Sequence, residues 1–230
     1  MEKPLRGPAL SEAIRTYIKD YIIANKLKPG DPLPPESQLM EELGVGRSSV
    51  REAVKALQSL GIVEIRRGNG LYVRETNFDP ILEVLEYSMR FDPHMFAEVF
   101  HVRVWLESAV IGDAVHQITD QNLAQLDQLM HVWEQRIEAG EPFADLDEEF
   151  HCILYQSLNN RTLIMLLEVF WDAFETLDIE AIRATVPRIA LDDHWSLLEA
   201  VKMRDAALAR GRLIYHFSHV EKRITAAIPD

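Results

Sequence analysis

At 230 residues and 47% apolar content, the chain is long enough for two modest domains with real cores, or for one large one. No apolar run approaches the ~20 residues that a membrane span needs, no signal-peptide core opens the sequence, and the single cysteine, Cys152, rules out an internal disulfide and fits a reducing cytoplasm. The net charge of −13 argues against a nucleic-acid binder until the chain is divided: residues 1–75 carry 12 Lys and Arg against 10 Asp and Glu, residues 76–230 carry 12 against 27. The acidity belongs to the second part and leaves local basic contacts possible in the first.

Residues 1–8, with two prolines and two basic residues, are expected to form a mobile arm. Ile14, Tyr17, Ile18, Tyr21 and Ile22 recur at helical spacing and predict a helix over 10–26. Lys28–Pro35 reads as a proline-rich turn with Leu33 as its anchor. Glu36 opens a second helix, favoured by the helix dipole, with Leu39, Met40 and Leu43 as its apolar stripe and Gly44 as a left-handed stop. The next helix starts near Arg47. Val50, Val54, Leu57 and Leu60 are expected on its buried side, and Arg47, Ser48, Ser49, Arg51 and Lys55 on the free one. A short helix with one core face and one basic, hydroxyl-bearing face suits a DNA major groove. After Gly61 the pattern IVEIRRGNGLYV turns strand-like, with Arg66, Arg67, Gly68, Asn69 and Gly70 at a hairpin tip. Arginines at such a tip can equally serve solubility alone.

This ordered stretch, Leu27 through Val73, resembles the winged-helix domain of GntR-family bacterial transcription regulators. The resemblance implies that Arg47, Ser48, Ser49 and Arg51 enter the major groove, while Arg67, Gly68 and Asn69 bring a wing against the minor groove or backbone. Gly46 stands where the family usually carries Ser or Thr, which predicts a weaker helix cap. Ser37 replaces a basic residue found in several relatives.

Glu75–Phe78 reads as a linker, and Asp79-Pro80 as the start of an all-α domain of six to seven helices at roughly 80–91, 93–117, 120–138, 142–158, 161–184, 188–204 and 206–227. The expected fold is therefore mostly α: a winged helix-turn-helix over 1–75 and a helical bundle over 76–230 for effector binding and dimerisation. Asp147 and His151 stand four apart on one helix, so they share a side. His194 and His216 lie on later helices. A carboxylate and three imidazoles can hold a divalent transition metal, although spacing alone leaves His94, His101, His116, His131 and His219 equally eligible.

Residues 78–228 are similar to the ligand-binding domain of the FadR subfamily, in its metal-containing FCD branch. The matching pieces are VRVWLESAV, DEEFHCIL, SLNN and HWSLLEAVKMRDAALARGRLIYHF. That resemblance assigns Asp147, His151, His194 and His216 to a metal, zinc or nickel, and implies a small carboxylate or hydroxy acid as effector. Arg103 either receives the effector carboxylate or pairs with Glu107 one turn on. Asn160 either lines the pocket or caps its helix; Asp205 is expected to cap the last one. The implied protein is a cytoplasmic homodimeric regulator, a repressor more readily than an activator, on a palindromic duplex operator. The alternatives are a metal sensor, or a metal-dependent hydrolase with Glu148 or Glu149 as base.

Overall fold

The structure, a computed structural model, describes residues 8–176 and 187–228. Ten helices and one two-stranded sheet are found among them. The chain divides into two compact units, residues 1–80 and 81–230.

The first unit holds α1 (Pro8–Ala24), α2 (Glu36–Leu43), α3 (Arg47–Ser59), β1 (Val63–Arg66) and β2 (Gly70–Val73). Its core gathers Ile14 and Ile18 of α1, Leu39 of α2, Val50, Ala53, Val54 and Leu57 of α3, and Val63, Leu71 and Val73 of the hairpin. Gly44 ends α2 in the left-handed region (φ 63°, ψ 34°) with its N–H on the Met40 carbonyl, a conformation that a residue with a Cβ adopts only with strain. α3 starts at Gly46, which supplies no side-chain cap. Leu60 departs from expectation: it is 53% exposed, because the helix has already ended at Ser59, and Ala53 fills the buried stripe instead. The strands pair antiparallel, Val63 with Val73 through Arg66 with Gly70. The proline-rich turn does more than connect. Leu33 N–H donates to the Leu71 carbonyl at 2.8 Å, and Val73 N–H to the Asp31 carbonyl at 3.0 Å, so residues 30–33 cover the free edge of β2.

The second unit takes in most of α4 (Asp79–Phe91), then α5 (His94–Gln117), α6 (Asp120–Ala139), α7 (Ala144–Gln156), α8 (Arg161–Thr176), α9 (Pro187–Lys202) and α10 (Ala206–Ala227). The expected helix over 161–184 runs to Thr176; its last stretch lies outside the described residues, as do residues 1–7 of the expected arm. α9 is described from Pro187, next to the expected start at 188, and what precedes it lies outside the described residues. α7 starts two residues later than expected. Arg136 Nη1 donates to the Pro142 carbonyl at 3.2 Å and to Asp145 at 2.6 Å, and the Phe143 ring stacks on Trp133 at 5.4 Å, which fixes the entry to α7. Thr119 and Asp205 cap α6 and α10, accepting from the N–H groups of Asn122 and Leu208. One continuous core includes Phe96, Phe100 and Ile111 of α5, Trp133 of α6, Phe150 and Leu154 of α7, Leu197 of α9 and Leu213 of α10. Among the described residues no helix is long and apolar enough to cross a membrane.

Candidate metal centre and nucleic-acid face

Four ligand-bearing side chains meet inside the second unit. Asp147 and His151 project one turn apart from α7, His194 from the middle of α9 and His216 from α10, and one donor atom from each lies within 4.8 Å of the others. All three histidines are buried; Asp147 is partly so. Trp133 and Phe150 wall His194 at ring distances of 4.5 and 4.8 Å, and Trp171 and Phe217 flank His151.

The hydrogen bonds at the far side of two rings fix what faces inward. His194 Nδ1 is 2.7 Å from the Ala190 carbonyl, which can only accept, so Nδ1 carries the proton and Nε2 of the neutral ring is a bare lone pair. His151 Nδ1 is 2.6 Å from Glu107 Oε2, with the same consequence. Both Nε2 atoms point at Asp147 Oδ1, from 3.1 and 3.6 Å. These are not hydrogen bonds. Asp147 Oδ1, His151 Nε2 and His194 Nε2 are buried acceptors with no donor between them. Burial lowers the basicity of His151, against the pull of Glu107, and lowers that of His216 still further, so their neutral forms are favoured. Converging buried lone pairs repel one another unless a cation sits among them. Nitrogen from three imidazoles and oxygen from one carboxylate make a donor set that fits zinc or nickel.

Behind His151 stands a pair that sequence reasoning saw only as a local ion pair. Glu107 is fully buried; its Oε1 accepts from Arg103 Nε at 2.7 Å and its Oε2 from His151. Burial works against the charge of Glu107, yet His151 and Arg103 hold its carboxyl at about 2. The Arg103 guanidinium lies 4.0 Å over the Trp171 ring and 5.4 Å over Phe217. A signal for this existed: Arg103 and Glu107 continue the stripe of Phe96, Phe100 and Ile111, so two charges sit on a core face. That Glu107 reaches a histidine 44 residues on was not legible. Asn160 is exposed, and its carbonyl caps α8 by accepting from Leu163 N–H at 3.1 Å. The other histidines stay apart from the cluster. His101 meets Glu221, His131 the Asp127 carbonyl, and His219 the Asp193 carboxylate. Cys152 is no nucleophile: burial pushes its thiol up to about 12.

In the first unit, Arg47, Ser48 and Arg51 of α3 are exposed and Ser49 is half-buried. Arg67, Gly68 and Asn69 are exposed at the hairpin tip, where Gly68 takes a φ of 78°. Arg66 is braced at the base of that tip, donating to Glu64 at 2.6 Å with its guanidinium 4.2 Å over Tyr72. Tyr72 in turn donates to the Asn69 carbonyl at 3.1 Å. The face that these residues form is rigidly presented and basic.

Residues 10–73 match the bacterial regulatory proteins of the gntR family, and residues 98–219 match the FCD domain. The chain is 28% identical over 221 residues to the Uxu operon transcriptional regulator of Escherichia coli K12, covering 93% of this chain and 86% of that protein. It is also 28% identical over 230 residues to the HTH-type transcriptional repressor NanR of Cronobacter sakazakii, covering 95% and 86%. Among solved structures, Streptococcus agalactiae GntR is similar with a TM-score of 0.71 at 27% identity, over 92% of this chain and 99% of that one. Escherichia coli McbR/YncC shares the fold, with a TM-score of 0.52 at 23% identity over 96% and 99%.

Proposed function

This chain belongs to the gntR family of bacterial regulatory proteins, with an FCD domain as its second part, and from that premise we propose that it is a repressor released by a small carboxylate or hydroxy acid bound in the helical unit. It is a transcription regulator, not an enzyme: its relatives and its structural neighbour at 27% identity are regulators, and the hydrolase alternative falls with them. The repressor reading draws on the relative named a repressor.

The observation that carries the effector reading is the meeting of buried, bare acceptor atoms from Asp147, His151 and His194. Asp147, His151, His194 and His216 would hold the cation. A divalent transition metal there, zinc or nickel, would supply positive charge for an anionic oxygen ligand. The three histidines are buried, so a carboxylate bound there would have its charge less screened than at the surface. Arg103 is the second candidate partner for the effector, a guanidinium held on Glu107 close to His151. Asn160, exposed and engaged in a cap, is left out of this role.

At the duplex, Arg47 and Arg51 would read base edges, Ser48 and Ser49 would meet phosphate or adjacent bases, and Arg67, Gly68 and Asn69 would brace the wing. A homodimer on a palindrome in the cytoplasm completes the proposal. It is supported by α4, whose exposed side carries Val84, Tyr87 and Phe91, with Phe91 84% exposed. Effector binding acts only through unequal affinity for the DNA-competent and DNA-incompetent arrangements.

The test is a thermal-shift screen of small carboxylates on zinc- or nickel-loaded protein, followed by gel shifts on an operator selected from random duplex. A hit that stabilises the loaded protein but not the chelated one, and that releases operator, is expected. Operator affinity unmoved across the acids, but switched by the metal itself, would replace this reading with that of a metal sensor.

A further inference from the structure

Glu107 is too costly a residue to be incidental. A carboxylate with no exposure, inserted between an arginine and a histidine on the apolar side of α5, is retained against a large desolvation penalty. Its two oxygens have separate tasks: Oε1 accepts from Arg103 Nε at 2.7 Å and Oε2 accepts from His151 Nδ1 at 2.6 Å. With both engaged, the carboxylate cannot turn without breaking one of them.

We propose that Glu107 is a positioning residue for the metal centre, holding His151 in the one tautomer whose Nε2 can coordinate, with Arg103 holding Glu107 in that pose. The proposal rests on the reading of Asp147, His151, His194 and His216 as a metal site. A neutral imidazole has one N–H, and a carboxylate oxygen facing Nδ1 draws the proton there. Nε2 is then left bare, and it is Nε2 that lies 3.6 Å from Asp147 Oδ1 among the other ligand atoms. His194 reaches the same state by another route, through the backbone carbonyl of Ala190. That bond follows from helix geometry and survives most substitutions; the one to Glu107 depends on a side chain 44 positions away. Of these two rings, His151 is therefore the one whose tautomer can be altered by a substitution elsewhere in the chain.

Glu107→Gln isolates the effect. Glutamine has nearly the same shape but offers one oxygen and one NH2. If the NH2 faces Arg103, donor meets donor; if it faces His151, Nδ1–H must leave. The ring then protonates at Nε2 and points a hydrogen at the other ligands. No ligand is deleted, yet coordination is lost or distorted.

The experiment uses the full chain, stripped with chelator and titrated with Co(II), followed by ligand-field absorption and by competition with Zn(II). Wild type should bind Co(II), and Glu107→Gln should bind it about 10–100-fold more weakly with an altered ligand-field spectrum. Ile111→Ala, one turn along the same helix and fully buried, is the matched core truncation. It should lower the melting temperature but leave Co(II) affinity within about threefold. Equal losses in both variants would overturn the proposal, since general softening would then explain the result. A folded Glu107→Gln that binds Co(II) like wild type would also overturn it while leaving the metal site standing. Failure of wild type to bind Co(II) would remove the metal reading and this inference together. Should Glu107→Gln not fold, imidazole nitrogen NMR of the metal-free wild type decides. A protonated Nδ1 and bare Nε2 on His151 supports the assignment, and the reverse overturns it.

Discussion

At the level of single residues, Asp147 Oδ1 and His194 Nε2 approach to 3.1 Å with no hydrogen between them. This gives Asp147→Asn an unusual expected sign. The new amide donates to His194 Nε2, so the metal-free protein should gain about 1 kcal/mol, whereas the stabilisation by zinc or nickel should largely disappear. Thermal melts with and without chelator check both halves, and a variant less stable in both conditions would contradict the argument. The histidines also set a pH dependence. Burial lowers the pKa of His151 and His216 from 6.5, so below that value the unfolded chain binds protons that the folded one refuses. Stability of the metal-free protein is thus full above about pH 7.5 and falls as pH drops toward 5, by at most about 1.4 kcal/mol per pH unit for each ring. Glu107 has the same sign, but its contribution is lost only as pH falls from about 4.5 to about 2, below the histidine window, so it does not drive this loss. A melting temperature flat between pH 8 and 5 in chelator would contradict the buried neutral rings. Residue identity made part of this legible. Spacing put Asp147 and His151 on one side of a helix without singling them out, the set with His194 and His216 entered through family likeness, and the reach of Glu107 to His151 became visible only in three dimensions.

For individual elements, α3 is where sequence and structure agree most closely, because its apolar stripe, its glycine start and its basic face are all local properties. Replacing either Arg47 or Arg51 by Ala should cost about 1–3 kcal/mol of operator affinity, read by gel-shift titration; wild-type affinity in both would exclude this face from DNA. Gly46→Ser is expected to stabilise by a few tenths of a kcal/mol, since the backbone there is ordinary (φ −77°) and an added Cβ meets nothing within 4 Å. The paired edge of β2 was not legible, because a proline-rich segment lacks the alternation that marks a strand. The start of α7 was missed for a different reason: Arg136, from another helix, captures Pro142 and Asp145. α4 carries the dimer prediction. A charge at the centre of its exposed stripe, Tyr87→Glu, is expected to give a monomer by light scattering and to weaken operator binding, while the fold persists because Tyr87 is 73% exposed. A dimer retained by Tyr87→Glu would move the interface elsewhere.

For the molecule as a whole, two units with separate cores allow a reading head to be conserved in design while the helical unit is fitted to another signal. The charge contrast between a front part near neutrality and a strongly acidic remainder runs along the same division. Operator affinity should accordingly fall linearly with the logarithm of salt concentration, with a slope set by the few phosphates the first unit meets rather than by total charge. The lone-pair cluster reaches beyond regulation. On the proposed metal reading, a chain without a cation would keep mutually repelling atoms at the centre of its helical unit, and would open more often for that reason. Proteases act on opened chains, so scarcity of the ion is expected to shorten the lifetime of the regulator itself, and the cell's stock of it becomes a slow record of past supply.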